Sequence, residues 1–457
     1  MILFGTDGIR GKFGKFPLIE NEIRKIGYSI ASILFPDKPG TIYISNDGRA
    51  SADDIETALI DGINTHGSKT ISLGMLHTPA LSVIVNTLQD NLSAGIQITA
   101  SHNPYHDNGI KIFNCDGLKI SSKLEKDIEE SFGKTSNIKK LKKTIQNLTN
   151  RSEEKKYIKM VRDYFDKKIK KINVNQNKNI CVLIDCANGA TSKIINKIFD
   201  NSCYKIITIF DKPNGKNINY NCGSTNPQFI SNYINHFNTT NNTKIDLGVA
   251  FDGDGDRAIF VTKTGKIIDG DEILFVLSKY KKEHENYHQS VVGTNMTNFG
   301  IQSEYKKSEI DFIKTDVGDK YVLEGMFKHN AQIGGESSGH IIISDFIDIP
   351  VGDSILTLIN ILYILYVLEI SLDNLVKNIK KTPSKLINIP VKDKLKFMKN
   401  KHNKEITNIL ESKIKGHGRI LLRSSGTENL IRLLVEHPDE KQIDSLIDYF
   451  CDNIIKT

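Results

Sequence analysis

The loop DGDGDR, residues 252–257, sets three carboxylates, Asp252, Asp254 and Asp256, at alternate positions with glycine between them. Carboxylates brought that close repel one another unless a cation sits among them, and glycine lets the backbone fold tightly enough for all three to converge. A hard divalent ion with oxygen ligands, magnesium, is the expected partner, one per active site. An EF-hand calcium loop is excluded, because it needs Glu at its twelfth position and Lys263 stands there. An acidic turn that binds nothing is the plainer alternative. Arg257 either balances the carboxylates or grips a phosphate.

Ser101 follows an apolar, strand-like run in ITASHNPYHDNGIKIF, residues 98–113. A serine in such a turn is ordinarily a turn former. Beside a divalent ion, a phosphorylated serine becomes a phosphoryl donor, because the cation offsets charge in the transition state. His102 reads as a hydrogen-bonding orienter. Lys111 supplies a positive charge or, if desolvated, a proton-transfer group; otherwise it is a solvated surface lysine. In GGESSGH, residues 334–340, Glu336 and Ser338 suit the adjacent hydroxyls of a sugar, and His340 could move a proton near neutral pH. A plain loop is the alternative there. In RSSGTENLIR, residues 423–432, the hydroxyls of Ser425 and Thr427 around Gly426, flanked by Arg423 and Arg432, form a phosphate cradle; a Ser-Gly turn is the alternative. A kinase P-loop is excluded, since GINTHGSKT, residues 62–70, has Ser68 where lysine is required.

The elements behind these loops are short β-branched runs, each ending in a Gly, Asn or Asp loop and followed by a helical pattern. Alternation of that kind predicts α/β layers with mostly parallel or mixed sheets, whose ligand groups gather beyond the carboxyl ends of the strands. The 457 residues exceed what one core holds, so several domains are expected. The boundaries predicted are 1–153, carrying the serine loop; 154–251; 252–370, carrying the Asp loop and sugar loop; and a smaller α+β domain, 371–457, carrying the phosphate cradle. The six cysteines show no Cys-x-x-Cys pair or zinc spacing. Residues 355–370 are strongly apolar but interrupted by Thr357, Asn360 and Glu369, which predicts a buried helix rather than a membrane span. The start lacks a signal-peptide pattern, so a cytoplasmic protein is expected, without membrane or nucleic-acid partners and acting on an anionic small molecule. The net charge of +7 fits that expectation.

Taken in order, FGTDGIRG, TASHNPYHDNGIK, VLIDCANGA, FDGDGDR, TDVGDKYV, GGESSGH and SSGTE resemble the α-D-phosphohexomutase superfamily over nearly the whole chain, and the opening FGTDGIRG is similar to its phosphoglucosamine mutase branch. The resemblance implies three consecutive mixed-sheet α/β domains and a smaller C-terminal one around a central cleft. It implies a covalent phosphate on Ser101, with magnesium held by that phosphate and by Asp252, Asp254 and Asp256. Arg10 and Lys111 would stand by the phosphoserine for charge stabilisation and proton transfer, with His340 as a second acid/base candidate. Glu336 and Ser338 would contact sugar hydroxyls, and Arg423, Ser425, Gly426 and Thr427 would hold the phosphate not being transferred. The implied reaction interconverts glucosamine 6-phosphate and glucosamine 1-phosphate through a 1,6-bisphosphate, in a monomer or homodimer. The alternative is a mannose or glucose phosphate mutase of the same superfamily. Two departures from the pattern are Ser337, where a longer side chain such as Gln is common, and Ser424 and Asn429 in place of flanking prolines.

Overall fold

Runs rich in isoleucine and valine form the strands, and the patterned segments after them form the helices that cover the sheets. The computed structural model describes residues 3–5, 7–141, 148–149, 152–170, 180–346, 350–424 and 429–455. It divides into two units, one of residues 1–295 with 313–377 and one of residues 296–312 with 378–457.

The first unit holds three sheets. The first sheet orders its strands Phe4–Gly5, Gly8–Lys12, Asp107–Phe113, Ser93–Ile98, Thr41–Asn46, Lys69–Met75 and Leu148–Thr149. Thr41–Asn46 runs parallel to Ser93–Ile98 and to Lys69–Met75, whereas Asp107–Phe113 returns antiparallel. Parallel strands are covered on both faces, and Ile42, Ile44, Ile96 and Ile98 are fully buried. The second sheet is ordered Ile267–Ile268, Ala258–Thr262, Leu247–Phe251, Cys181–Asp185, Lys205–Ile209, and the third Phe312–Thr315, Val291–Thr294, Ile333–Gly335, Ile341–Ile343. These mixed sheets with covering helices are the α/β layers the strand-loop-helix rhythm predicts.

The boundary expected at 251/252 falls at the edge of a strand pairing. Leu247–Phe251 pairs antiparallel with Ala258–Thr262, so the Asp loop is a hairpin turn inside the second sheet. The apolar run beyond it is the helix Ser354–Leu368, started by Asp353, whose carboxylate accepts from the Ile355 and Leu356 N–H groups. Its Ile355, Leu358, Ile359, Ile361 and Leu362 are fully buried, as a helix apolar on all sides must be. Among the described residues no helix is long and apolar enough to cross a membrane.

The second unit has an antiparallel sheet ordered Ser384–Pro390, Leu430–Glu436, Arg419–Ser424, with helices Lys401–Ile414 and Glu440–Asn453. Just past the expected start at 371, Leu372–Val376 is a helix of the first unit, with Leu372 and Val376 fully buried and Asp373 accepting from Thr264. Conversely, residues 296–312 belong with the C-terminal sheet. The Asn298 amide donates to buried Glu436 at 2.9 Å, and Arg419 donates to the Thr297 carbonyl at 3.0 Å.

Candidate functional site

Ser101 sits just beyond the strand Ser93–Ile98 with φ of 51°. That left-handed conformation costs a residue with a Cβ about 1–2 kcal/mol, and it persists only where the surroundings fix it. Here they do. The Ser101 N–H donates to Thr99 Oγ1 at 2.7 Å, and the Thr99 hydroxyl donates to Asp47 at 2.6 Å. Buried Arg49 donates to Asp47 and to the carbonyls of Ser101, Asn103, Pro104 and Asp107, so one guanidinium braces the whole loop. The Asn219 amide donates to the Ser101 carbonyl from the second sheet's side at 2.8 Å. The outcome is a hydroxyl aimed at the Asp loop: Ser101 Oγ donates to Asp252 Oδ2 at 2.6 Å.

The Asp loop closes tightly because of its glycines. Gly255 has φ of +70°, and a Cβ on Gly253 would lie 2.8 Å from the Ser101 carbonyl oxygen. Ligand oxygens of Asp252, Asp254 and Asp256 lie within 4.8 Å of one another, all buried. Each carboxylate has at least one oxygen held by the protein. Asp252 Oδ1 accepts from the Asp256 and Arg257 N–H groups, Asp254 Oδ2 from Thr78 and Lys111, and Asp256 Oδ2 from Lys111. Asp254 Oδ1 and Asp256 Oδ1 are buried with no hydrogen-bond partner, and Asp252 Oδ2 carries Ser101. Three hard oxygens, oriented by second partners and converging on Ser101, fit a divalent cation.

The charges are graded. Burial and the neighbouring Asp256 and Asp254 push the Asp252 carboxyl well above its usual range. Burial pushes Asp256 the same way, but Lys111, His340 and Arg257 hold it well below. Lys111 is fully buried; burial alone would favour its neutral form, yet Asp254, Asp256 and Asp7 raise it, so it is an ammonium. Its Nζ lies 2.9, 3.0 and 3.2 Å from those three carboxylates. Arg10 comes from the strand Gly8–Lys12, opposite Gly109 in register, and donates to the Ala100 carbonyl beside Ser101 and to Asp7. His102 Nδ1 is 3.3 Å from Ser101 Oγ, and burial together with Arg257 and Arg10 pushes its pKa down to about 4, leaving it neutral.

The turn between Ile333–Gly335 and Ile341–Ile343 carries Glu336, Ser338 and His340. It abuts the Asp loop, since the Ala258 N–H donates to the Gly339 carbonyl. Glu336 accepts from the Gly318 N–H at 2.9 Å, and Ser338 Oγ has no hydrogen-bond partner. His340 Nδ1 lies 3.7 Å from Asp256; burial opposes its protonation, but Asp256, Asp319 and Glu336 raise its pKa. Arg257 has Nε 3.7 Å from Asp256 and without a hydrogen-bond partner. In the second unit, Arg423 and Arg432 stand directly opposite in register on neighbouring strands, so their side chains share a face. Ser425, Gly426 and Thr427 lie outside the described residues.

Residues 1–139 match the phosphoglucomutase/phosphomannomutase alpha/beta/alpha domain I, 155–265 domain II, 269–382 domain III, and 386–453 the C-terminal domain. A phosphoglucosamine mutase of Coxiella burnetii is 37% identical over 440 residues, covering 96% of this chain and 95% of that protein. The chain belongs to the phosphoglucosamine mutase family. A family member from Acinetobacter baumannii is 34% identical over 99% of this chain and 98% of that one. Among solved structures, a phosphoglucomutase/phosphomannomutase family protein of Burkholderia thailandensis has a TM-score of 0.80 at 20% identity, covering 99% of this chain and 97% of that one. An N-acetylphosphoglucosamine mutase of Aspergillus fumigatus, in complex with GlcNAc-6P and magnesium, has a TM-score of 0.71 at 15% identity, covering 99% and 95%. Both show the same fold.

Within this member of the family, the residues reasoning from sequence missed are those that act by holding others: Thr78, Asp47, Arg49, Asn219 and Asp7. Arg49 had a signal, since it lies in the loop beyond the carboxyl end of Thr41–Asn46. Asp7 lies inside FGTDGIRG. Thr78 and Asn219 had none, because hydroxyl and amide side chains are common in loops.

Proposed function

We propose that the chain, an isomerase of the phosphohexomutase type, interconverts glucosamine 6-phosphate and glucosamine 1-phosphate with Ser101 as the phosphoryl carrier. The observation that carries this reading is the 2.6 Å contact of Ser101 Oγ with Asp252, inside a trio of carboxylates that keep oxygens for a cation. Asp252, Asp254, Asp256 and the Ser101 phosphate would hold magnesium, which when bound offsets charge on the phosphoryl oxygens.

From phosphorylated Ser101, the Oγ–P bond breaks as the free sugar hydroxyl oxygen bonds to phosphorus; the hydroxyl proton passes to His340 in its neutral form, and the departing Ser101 Oγ takes a proton from the Lys111 ammonium. The product is glucosamine 1,6-bisphosphate. After the sugar turns over, its other phosphate returns to Ser101, whose proton goes back to Lys111 while His340 gives its proton to the freed sugar oxygen. Arg10 stays charged throughout and, with the Lys111 ammonium, stabilises the moving phosphoryl group, as positioning and electrostatics dominate such transfers. Glu336 and Ser338 would take sugar hydroxyls, and Arg257 a phosphate oxygen. Arg423, Ser425, Gly426, Thr427 and Arg432 would take the phosphate not being transferred. We extend the proposal to a cytoplasmic monomer or homodimer of four domains, with the second boundary at 265–269, between the matched segments.

The test is turnover of purified phosphoenzyme on glucosamine, mannose and glucose 6-phosphates. Glucosamine 6-phosphate is expected to give the highest kcat/KM; a preference for mannose 6-phosphate would overturn the substrate assignment. Ser101→Ala is expected to abolish both turnover and phosphate incorporation.

A further inference from the structure

In the motif TDVGDKYV, residues 315–322, Asp319 completes a closed circuit of charge. Lys111 contacts Asp256 at 3.0 Å and Asp7 at 3.2 Å. Across Asp256, His340 Nδ1 lies at 3.7 Å, and its Nε2 faces Asp319 at 3.9 Å. Lys119 pairs with both Asp319 and Asp7 and closes the ring. Three carboxylates and three nitrogen groups therefore alternate around six positions. Lys111 and His340, two of the candidates for proton handling and charge stabilisation, sit in it.

Neither Lys119 nor Asp319 is hydrogen-bonded to Asp252, Asp254 or Asp256 among the described residues. Each is placed by its own element. Lys119 follows a turn fixed by Asn114, whose Oδ1 accepts from the Asp116 and Leu118 N–H groups. Asp319 opens the helix Asp319–His329, where the helix dipole favours an anion. The next residue, Lys320, makes a second tie, to Glu125 at 3.1 Å and to Ser122. Lys119 is the cation common to Asp7 and Asp319. Without it, two half-buried carboxylates would face each other across its place and rotate away, one from Lys111 and the other from His340.

We propose that Lys119 and Asp319 are positioning residues for the phosphoryl transfer, and that Lys119 closes the ring that holds Asp7 on Lys111 and Asp319 beside His340. The kinetic part rests on the mutase reading above. Lys119→Met is expected to lower kcat about tenfold or more with KM changed less than about threefold, and Asp319→Asn to do the same. Because the two act as a unit, the double variant should fall no more than about threefold below the worse single. Lys119→Arg should recover kcat to within about threefold of wild type. A kcat for Lys119→Met within twofold of wild type, multiplicative losses in the double variant, or a loss confined to KM would each overturn the proposal. Kinetics are read on whichever of the three 6-phosphates the wild type turns over, so failure of the glucosamine assignment leaves the ring test standing. A crystal structure of Lys119→Met reads the ring without turnover: the Asp319 carboxylate should move about 1 Å or more from His340, a displacement large enough to cost rate. An unmoved carboxylate would overturn the proposal.

Discussion

The two carboxylate oxygens of Asp254 have separate duties: Oδ2 takes hydrogen bonds from Thr78 and Lys111, and Oδ1 takes none. Thr78 is thus what turns Oδ1 toward the other two acids. Thr78→Val, equal in shape but without the hydroxyl, is expected to weaken magnesium binding about tenfold to a hundredfold, measured by calorimetric titration of the purified protein; unchanged affinity would mean that Lys111 alone orients Asp254. Gly253 makes a steric prediction of the same size. A Cβ there would lie 2.6 Å from Ile218 Cδ1 and 2.8 Å from the Ser101 carbonyl, so Gly253→Ala should displace the serine loop and cost about 1–3 kcal/mol of stability, read by urea unfolding together with lost turnover. The acids and Ser101 were legible from sequence because residue type and spacing alone limit what they can do. Thr78, Arg49 and Asn219 were not, because their contribution is an orientation that exists only once distant segments meet.

Elements differ in how far local sequence determines them. The helix Ser354–Leu368 follows from an apolar run with a capping aspartate, and it forms as expected. Its cap is also a pH sensor of stability. Burial pushes Asp353 up to about 6, although the Leu356 N–H, the Tyr157 hydroxyl and the Ile355 N–H favour its charge. Folded Asp353 therefore keeps its proton up to about pH 6, while the unfolded side chain loses it near 3.9. The folded state binds more protons in between, so this group's contribution to stability falls as pH rises through that window. Asp353→Asn keeps an N-cap acceptor and removes the ionisation. Its urea midpoint relative to wild type should improve between pH 4 and pH 7.5 by the equivalent of roughly 2–3 kcal/mol; an unchanged difference would contradict the account. The Asp loop was harder to assign to an element. The boundary expected at 251/252 lies just before it, whereas its glycines make it the turn of a hairpin whose strands are fixed by pairing.

At the scale of the molecule, local pattern was weakest. Residues 296–312 interrupt the first unit yet belong to the second, and no composition shift marks them. Their anchor is buried Glu436, which accepts from the Asn298 amide at 2.9 Å and from Arg419 Nε at 2.7 Å. Glu436→Ala removes the carboxylate from Arg419 and is expected to cost about 3–5 kcal/mol. Hydrogen exchange should then accelerate in residues 296–312 and 384–453 while the strands of the first sheet keep their protection; equal acceleration everywhere would contradict two separable units. The proposed reaction depends on Ser101 passing a phosphoryl group to sugar beside the three acids. The most direct measurement is a chase: enzyme carrying labelled phosphate is mixed with glucosamine 6-phosphate, with and without chelator, and the label on Ser101 is followed. The prediction is transfer of the Ser101 label to sugar in the presence of magnesium and retention on the protein after chelation. Label found on any other residue, or loss to water at the same rate without sugar, would contradict it.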